Sequence, residues 1–169
     1  MSSSVAIGSE FVQKNVDILK AKNVQVQNVW EMKAFRGNGF SERFFTVSEI
    51  QNSGRGNKGI NMRGRIHGEI FAGKCKAWKN NKIGSSVILD MIGALADEPW
   101  LTIGVVVGFS KNSFTSGAVK AAEKSGIIIT DSDHLYDDLS VVAVEMQMNN
   151  IMKRKTPDVK KIDPEDVKP

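Results

Sequence analysis

A single cysteine, Cys75, leaves the chain unable to form an intrachain disulfide or a cysteine-rich zinc site, and a reducing compartment is the simple reading. Histidine is almost as scarce: His67 and His134 lie far apart, at no metal-ligand spacing, and read as ordinary surface or core residues. No segment approaches the ~20 consecutive apolar residues that a membrane span needs. The opening "MSSSVAIGSEF" has neither the apolar run of a secretory leader nor an arginine-rich amphipathic pattern. The expectation is a soluble intracellular protein, cytoplasmic or nuclear, with no membrane partner. Walker spacing is missing as well: "GRGNKG" at 54–59 precedes a strand pattern rather than a helix, which argues against nucleotide hydrolysis. Ser113, Ser116 and the histidines form no visible nucleophile arrangement, and there is no internal repeat.

Against these absences stands an ordinary globular composition. Of the 169 residues 41% are hydrophobic and 25% charged, enough apolar material for one cored domain and too much for wholesale disorder. Residues 1–152 are expected to form that domain. Residues 153–169, "KRKTPDVKKIDPEDVKP", carry three of the four prolines and read as a charged flexible tail, whose basic residues could serve as a nuclear address or grip DNA but are more simply solvated. The net charge is only +4, yet it is unevenly placed. Arg55, Lys58, Arg63, Arg65, Lys74, Lys76, Lys79 and Lys82 stand against Glu69 alone between residues 55 and 82, which marks that stretch as the candidate surface for a polyanion.

Hydropathy patterning predicts an α/β fold. Ser9 can cap a helix to about Ala21 with Phe11, Val12, Val16 and Leu19 on one side. Val24 to about Phe35, the Asn-Gly turn in "RGNGF" and "RFFTVSEIQ" predict an N-terminal hairpin. One strand is expected from Ile66 to Trp78, with Ile70, Lys74, Lys76 and Trp78 on one face and Phe71, Cys75 and Ala77 on the other. A helix capped by Ser85 or Ser86 runs to about Asp97 with Met91, Ile92 and Leu95 buried; "LTIGVVVGF" is a strand covered on both faces. Thr115 or Ser116 caps the next helix, which buries Ala118, Val119 and Ala122 and ends at Gly126. "IIIT" is a further strand, and a last helix covers Asp137 to about Lys153. Strand, helix, strand, helix, strand implies right-handed crossovers in a partly parallel sheet.

The segments "GRGNKGINMRG", "FAGKCKAWKN", "IGALADE" and "IGVVVGFSKNSFTSGAVKAAEKSGIIITD", in that order, resemble the Mrr-like (type IV restriction endonuclease) branch of the PD-(D/E)XK superfamily over about Ser53 to Asp131. The resemblance implies a restriction-endonuclease-like αβββαβ core, with a mixed sheet flanked by helices and the extra N-terminal hairpin as an elaboration. It also implies descent from Mg²⁺-dependent DNA endonucleases, in which acidic oxygens hold the cation and a lysine assists the attacking water. Carried onto this chain, the metal aspartate falls at Asn61, the glutamate or glutamine at Lys74 and the lysine at Lys76; only the last is retained.

An ammonium at position 74 repels each unit of cation charge by ~4 kcal/mol at ~4 Å and an effective dielectric of ~20. By spacing alone Lys74 and Lys76 read as solvated lysines; with the resemblance they read as an anion-facing pocket. The leading expectation is therefore a DNA-binding protein impaired in cleavage, contacting DNA through Arg55, Lys58, Arg63, Arg65, Lys79 and Lys82, with RNA as the alternative ligand. Two rivals stand beside it. One is an active Mg²⁺-dependent endonuclease with a relocated acid, for which Asp90 first, then Glu69, Glu49 and Glu10, are the candidates; the other is an inert structural or regulatory subunit. Cleavage of both strands would imply a homodimer, but no interface is legible. Trp78 and Trp100 read as core or rim residues, and alternation turns Cys75 away from the lysines.

Overall fold

A computed structural model describes residues 4–28 and 59–155, with side chains described for 8–28 and 59–152. The elements are α1 (Ser4–Ala21), β1 (Gln25–Asn28), β2 (Met62–Ile66), β3 (Glu69–Cys75), α2 (Ser85–Leu95), β4 (Ile103–Gly108), α3 (Ser116–Ser125), β5 (Ile128–Asp131) and α4 (Leu135–Lys155). One five-stranded sheet runs in the order β1-β2-β3-β4-β5. The first three strands form an antiparallel meander, and β4 and β5 add in parallel to β3. The run α1-β1-β2-β3-α2-β4 is the expected αβββαβ core, a mixed α/β sheet with helices on its faces. The predicted N-terminal hairpin falls, beyond Asn28, outside the described residues.

Alternation along the strands creates two cores. Met62, Ile66, Phe71, Cys75, Val105 and Val107 point to one face, where Phe11, Val16 and Leu19 of α1 and Leu135, Leu139 and Ala143 of α4 cover them. Ala72 and Val106 point to the other face, covered by Val87, Ile88, Met91 and Ala94 of α2 and Ala118 and Ala122 of α3. Strand β4 is buried at every position, as its unbroken apolar run predicts.

The strand predicted from Ile66 to Trp78 is shorter at both ends, spanning Glu69–Cys75, and Ile66 belongs to the preceding strand. β2 ends at Ile66, His67 and Gly68 take positive φ (47° and 82°), and β3 begins at Glu69. Two left-handed residues are what a two-residue hairpin loop requires. Histidine is an uncommon occupant of that conformation, and here it is held by tertiary contacts: its Nε2 lies 2.7 Å from Ser140 Oγ, and its carbonyl accepts from Gln147 Nε2.

The helices differ from expectation mainly at their edges. α1 starts at Ser4 rather than after Ser9, and α4 runs through Lys155, into the segment read as tail. α2 is preceded by Gly84 with no side-chain cap. Its buried stripe is Val87, Ile88, Met91 and Ala94, while Ile92 faces outward. Thr115 caps α3 by accepting from the amide of Ala118, and Gly126 ends it at φ 74°, both as predicted. Among the described residues, no helix is long and apolar enough to cross a membrane.

Candidate functional site

Where β3 leaves the sheet, Lys74 and Lys76 project from the α2 face into a cleft of about 510 Å³, whose other walls include Gly59, Leu89, Asp90 and Gly93. The expected shared face is therefore present, and Lys74 is not the solvated lysine that spacing alone suggests. Lys74 is only 3% exposed. Its Nζ has neither a hydrogen bond nor an ion pair with any described residue. Burial, then the neighbouring Lys76 charge, lower its pKa; Asp90 across the cleft pulls the other way.

Gly59 makes this placement feasible. It has φ 77°, which disfavours a side chain, and a Cβ there would stand 3.2 Å from Lys74 Nζ and crowd the ammonium, so glycine lets the loop backbone lie close over it.

Asn61 does not offer its oxygen to the cleft. Its Oδ1 accepts the Cys75 amide at 2.8 Å, while its own amide donates to the Gly73 carbonyl at 2.8 Å, so the side chain extends the β2–β3 pairing past Met62. Among the described residues Asp90 is the one carboxylate lining the cleft, and no group of three His, Cys, Asp or Glu side chains that could hold a metal is found. One carboxylate, a committed amide oxygen and two ammonium groups do not fit the oxygen shell of Mg²⁺.

The remaining candidates separate. Arg63 is buried, and its guanidinium forks onto the Glu98 carboxylate, with Nε 3.0 and 3.1 Å from the two oxygens and Nη2 also donating to it. It is an internal ion pair and leaves the basic face. Arg65 and Glu69 sit at the turn end of the β2–β3 hairpin. At ~3.3 Å per residue Glu69 is about 17 Å along the strand from Lys74, which removes it as a ligand to this cleft. Arg55 and Lys58 lie outside the described residues.

Lys79 and Lys82 are exposed in the loop after β3, and that loop brings cations onto aromatic rings. Lys76 Nζ is 5.4 Å from the Trp78 ring centre, and Lys79 Nζ is 5.8 Å from that of Phe109, at the end of β4. Trp78 is partly exposed and, through Lys76, stands beside the cleft, whereas the Phe109 ring packs 4.9 Å from that of Phe11 of α1, on the opposite face of the sheet. Phe109 was not singled out in the sequence, because nothing local says that β4 ends beside the 76–82 loop.

Cys75 points to the opposite face, as alternation predicts, and burial pushes its thiol up to about 12 against the hydrogen bond from Asn15. His67 and His134 are both engaged away from the cleft, the latter with Nδ1 2.6 Å from Asp131 Oδ1.

No family model matches the chain, and no curated protein does. Among solved structures it is similar to protein VC1899 from Vibrio cholerae, with TM-score 0.37 and 9% sequence identity over 85% of this chain and 52% of that one. The chain spans about half that protein's length. The functional reading rests on the site itself.

Proposed function

We propose that the chain binds the phosphate backbone of nucleic acid, DNA first, through the Lys74–Lys76 cleft and its basic, aromatic rim, and that it descends from a Mrr-like restriction endonuclease whose phosphodiester cleavage is impaired. One observation carries the reading. Lys74 is buried beside a second ammonium, and the one carboxylate among the described residues that attracts it, Asp90 across the cleft, does not offset the burial and repulsion that lower its pKa. Burying a charge that is only partly compensated is costly, and a phosphate oxygen would relieve both the desolvation and the repulsion.

The chemistry at the former metal positions supports impaired cleavage: Asn61 is committed to backbone pairing, and position 74 holds a positive charge where an acid is needed. Trp78, whose ring lies against Lys76, adds a surface on which an exposed base can stack. Asp90 keeps the endonuclease alternative alive, because it lies on the helix following the lysine strand and lines the same cleft.

The test is fluorescence anisotropy with duplex and single-stranded oligonucleotides across a salt series, paired with plasmid nicking in Mg²⁺, Mn²⁺ or EDTA. The wild type is expected to bind without nicking, with affinity falling steeply as salt rises. Lys74→Met and Lys76→Ala are each expected to weaken binding and reduce the salt slope by about 1. Metal-dependent nicking that Lys76→Ala and Asp90→Asn both abolish would replace this reading with an active endonuclease. Absence of salt-sensitive binding to any nucleic acid would leave an inert subunit.

A further inference from the structure

Trp100 is no core residue. At 92% it is the most exposed large apolar side chain among the described residues, and it lies against no other described ring and under no described cation. A turn holds it there. Residues 99–102 close through the Thr102 amide, which donates to the Pro99 carbonyl at 3.1 Å, and the Thr102 hydroxyl donates to the same oxygen at 2.6 Å. Leu101 takes φ 66° at the third position, which glycine ordinarily fills in a type II turn, so the backbone carries strain at the tip that bears the indole.

The turn is anchored on the side of the sheet that carries the lysine cleft. Glu98, immediately before Pro99, is the carboxylate onto which the buried Arg63 forks. Arg63 pairs with Ala72, whose side chain belongs to the core under α2 and α3. Lys74 follows Ala72 by two positions on the same strand and the same face. At ~3.3 Å per residue and ~4.8 Å between strands, the Cα atoms of Arg63 and Lys74 are about 8 Å apart.

An exposed apolar track runs from the cleft toward that turn. Leu89 and Gly93 line the cleft, and Ala96 continues the same helix face one turn further; all three are exposed. A Cβ at Gly93 would meet nothing within 4 Å, so the helix surface lies open there. At ~1.5 Å per residue the track covers about 10 Å from Leu89 to Ala96, and the Trp100 turn comes next along the chain.

Ammonium groups suit phosphates, whereas an open apolar helix face and a bare indole suit the flat faces of bases. In a duplex those faces are covered by neighbouring base pairs; in a single strand they are free. Resting on the backbone binding proposed above, we infer that the cleft takes a single strand, with phosphates on Lys74 and Lys76 and an unpaired base stacked on Trp100. The ion pair of Arg63 with Glu98 then serves as the strut that fixes the stacking platform relative to the lysines.

The experiment is fluorescence anisotropy of the full chain with three DNA probes: a strand, its duplex, and the same strand with its bases removed. The intact strand is expected to bind more tightly than the duplex. Trp100→Ala is expected to weaken binding of the intact strand at least about fivefold, with the salt slope unchanged because no phosphate contact is lost, and Trp100→Phe to recover most of that loss. The abasic strand should bind wild type and Trp100→Ala alike. Since the side chain is exposed, the Tm of both variants should equal that of the wild type. Undiminished binding by Trp100→Ala, an equal loss on the abasic strand, or tighter binding of the duplex would overturn this inference and leave backbone binding standing. A wild type that binds none of the three probes would overturn both.

Discussion

Lys74 shows at the residue scale how a binding site can oppose the stability of its own fold. Its lowered pKa means that the unfolded chain holds the proton more tightly, so the buried ammonium costs stability at all pH values below the folded pKa. The cost fades as pH rises from the folded pKa toward the ordinary lysine value of ~10.4, above which both states are neutral. Lys74→Met is therefore expected to raise Tm by roughly 2–4 °C at pH 7, equivalent to ~1 kcal/mol for a chain of this size. The gain should shrink toward pH 10 while nucleic-acid affinity falls at pH 7. Thermal melts at both pH values check it, and equal or lower stability of the variant at pH 7 would contradict the assigned burial cost.

At the scale of elements, the β2–β3 hairpin is the part most dependent on backbone freedom. Gly64 faces Phe71 across the ladder, and a Cβ there would collide with the Phe71 ring and with the Gln25 carbonyl, which is backbone and cannot swing aside. Gly68 holds φ 82° at the turn, and a Cβ would meet Gln147 Nε2 at 2.8 Å. Gly64→Ala is expected to cost about 3 kcal/mol through overpacking. Gly68→Ala should cost ~1 kcal/mol, because its neighbour is a movable side chain and the strain is confined to one dihedral. Urea denaturation gives both values, and the reverse ranking would mean that the turn rather than the strand contact limits the hairpin.

For the whole molecule, Cys75 is a built-in reporter of global opening. It is the chain's one thiol, buried between the sheet and α1 and held protonated near neutral pH by its pKa of about 12. Alkylation at pH 8 is expected to be far slower than for a free thiol and to accelerate with denaturant in step with unfolding. Rapid labelling of the native protein would show that the sheet opens locally at β3, and with it the lysine cleft.

The sequence by itself determined the features that are local. Continuous apolar runs define β4 and β5, Thr115 and Gly126 bound α3, and alternation places Lys74 and Lys76 together with Cys75 behind them. These signals were legible because period, caps and turn chemistry act within a few residues. The hairpin at His67–Gly68 was not, since its left-handed histidine is held by Ser140 and Gln147 of a distant helix. Only the tertiary structure decided that Arg63 is spent on Glu98, that Asn61 completes a ladder, that Phe109 meets Lys79, and that Lys74 is buried rather than solvated. Charge and side-chain type are written in the sequence, but burial and partnership depend on which segments fold over a residue, and that follows from the packing of elements far apart along the chain.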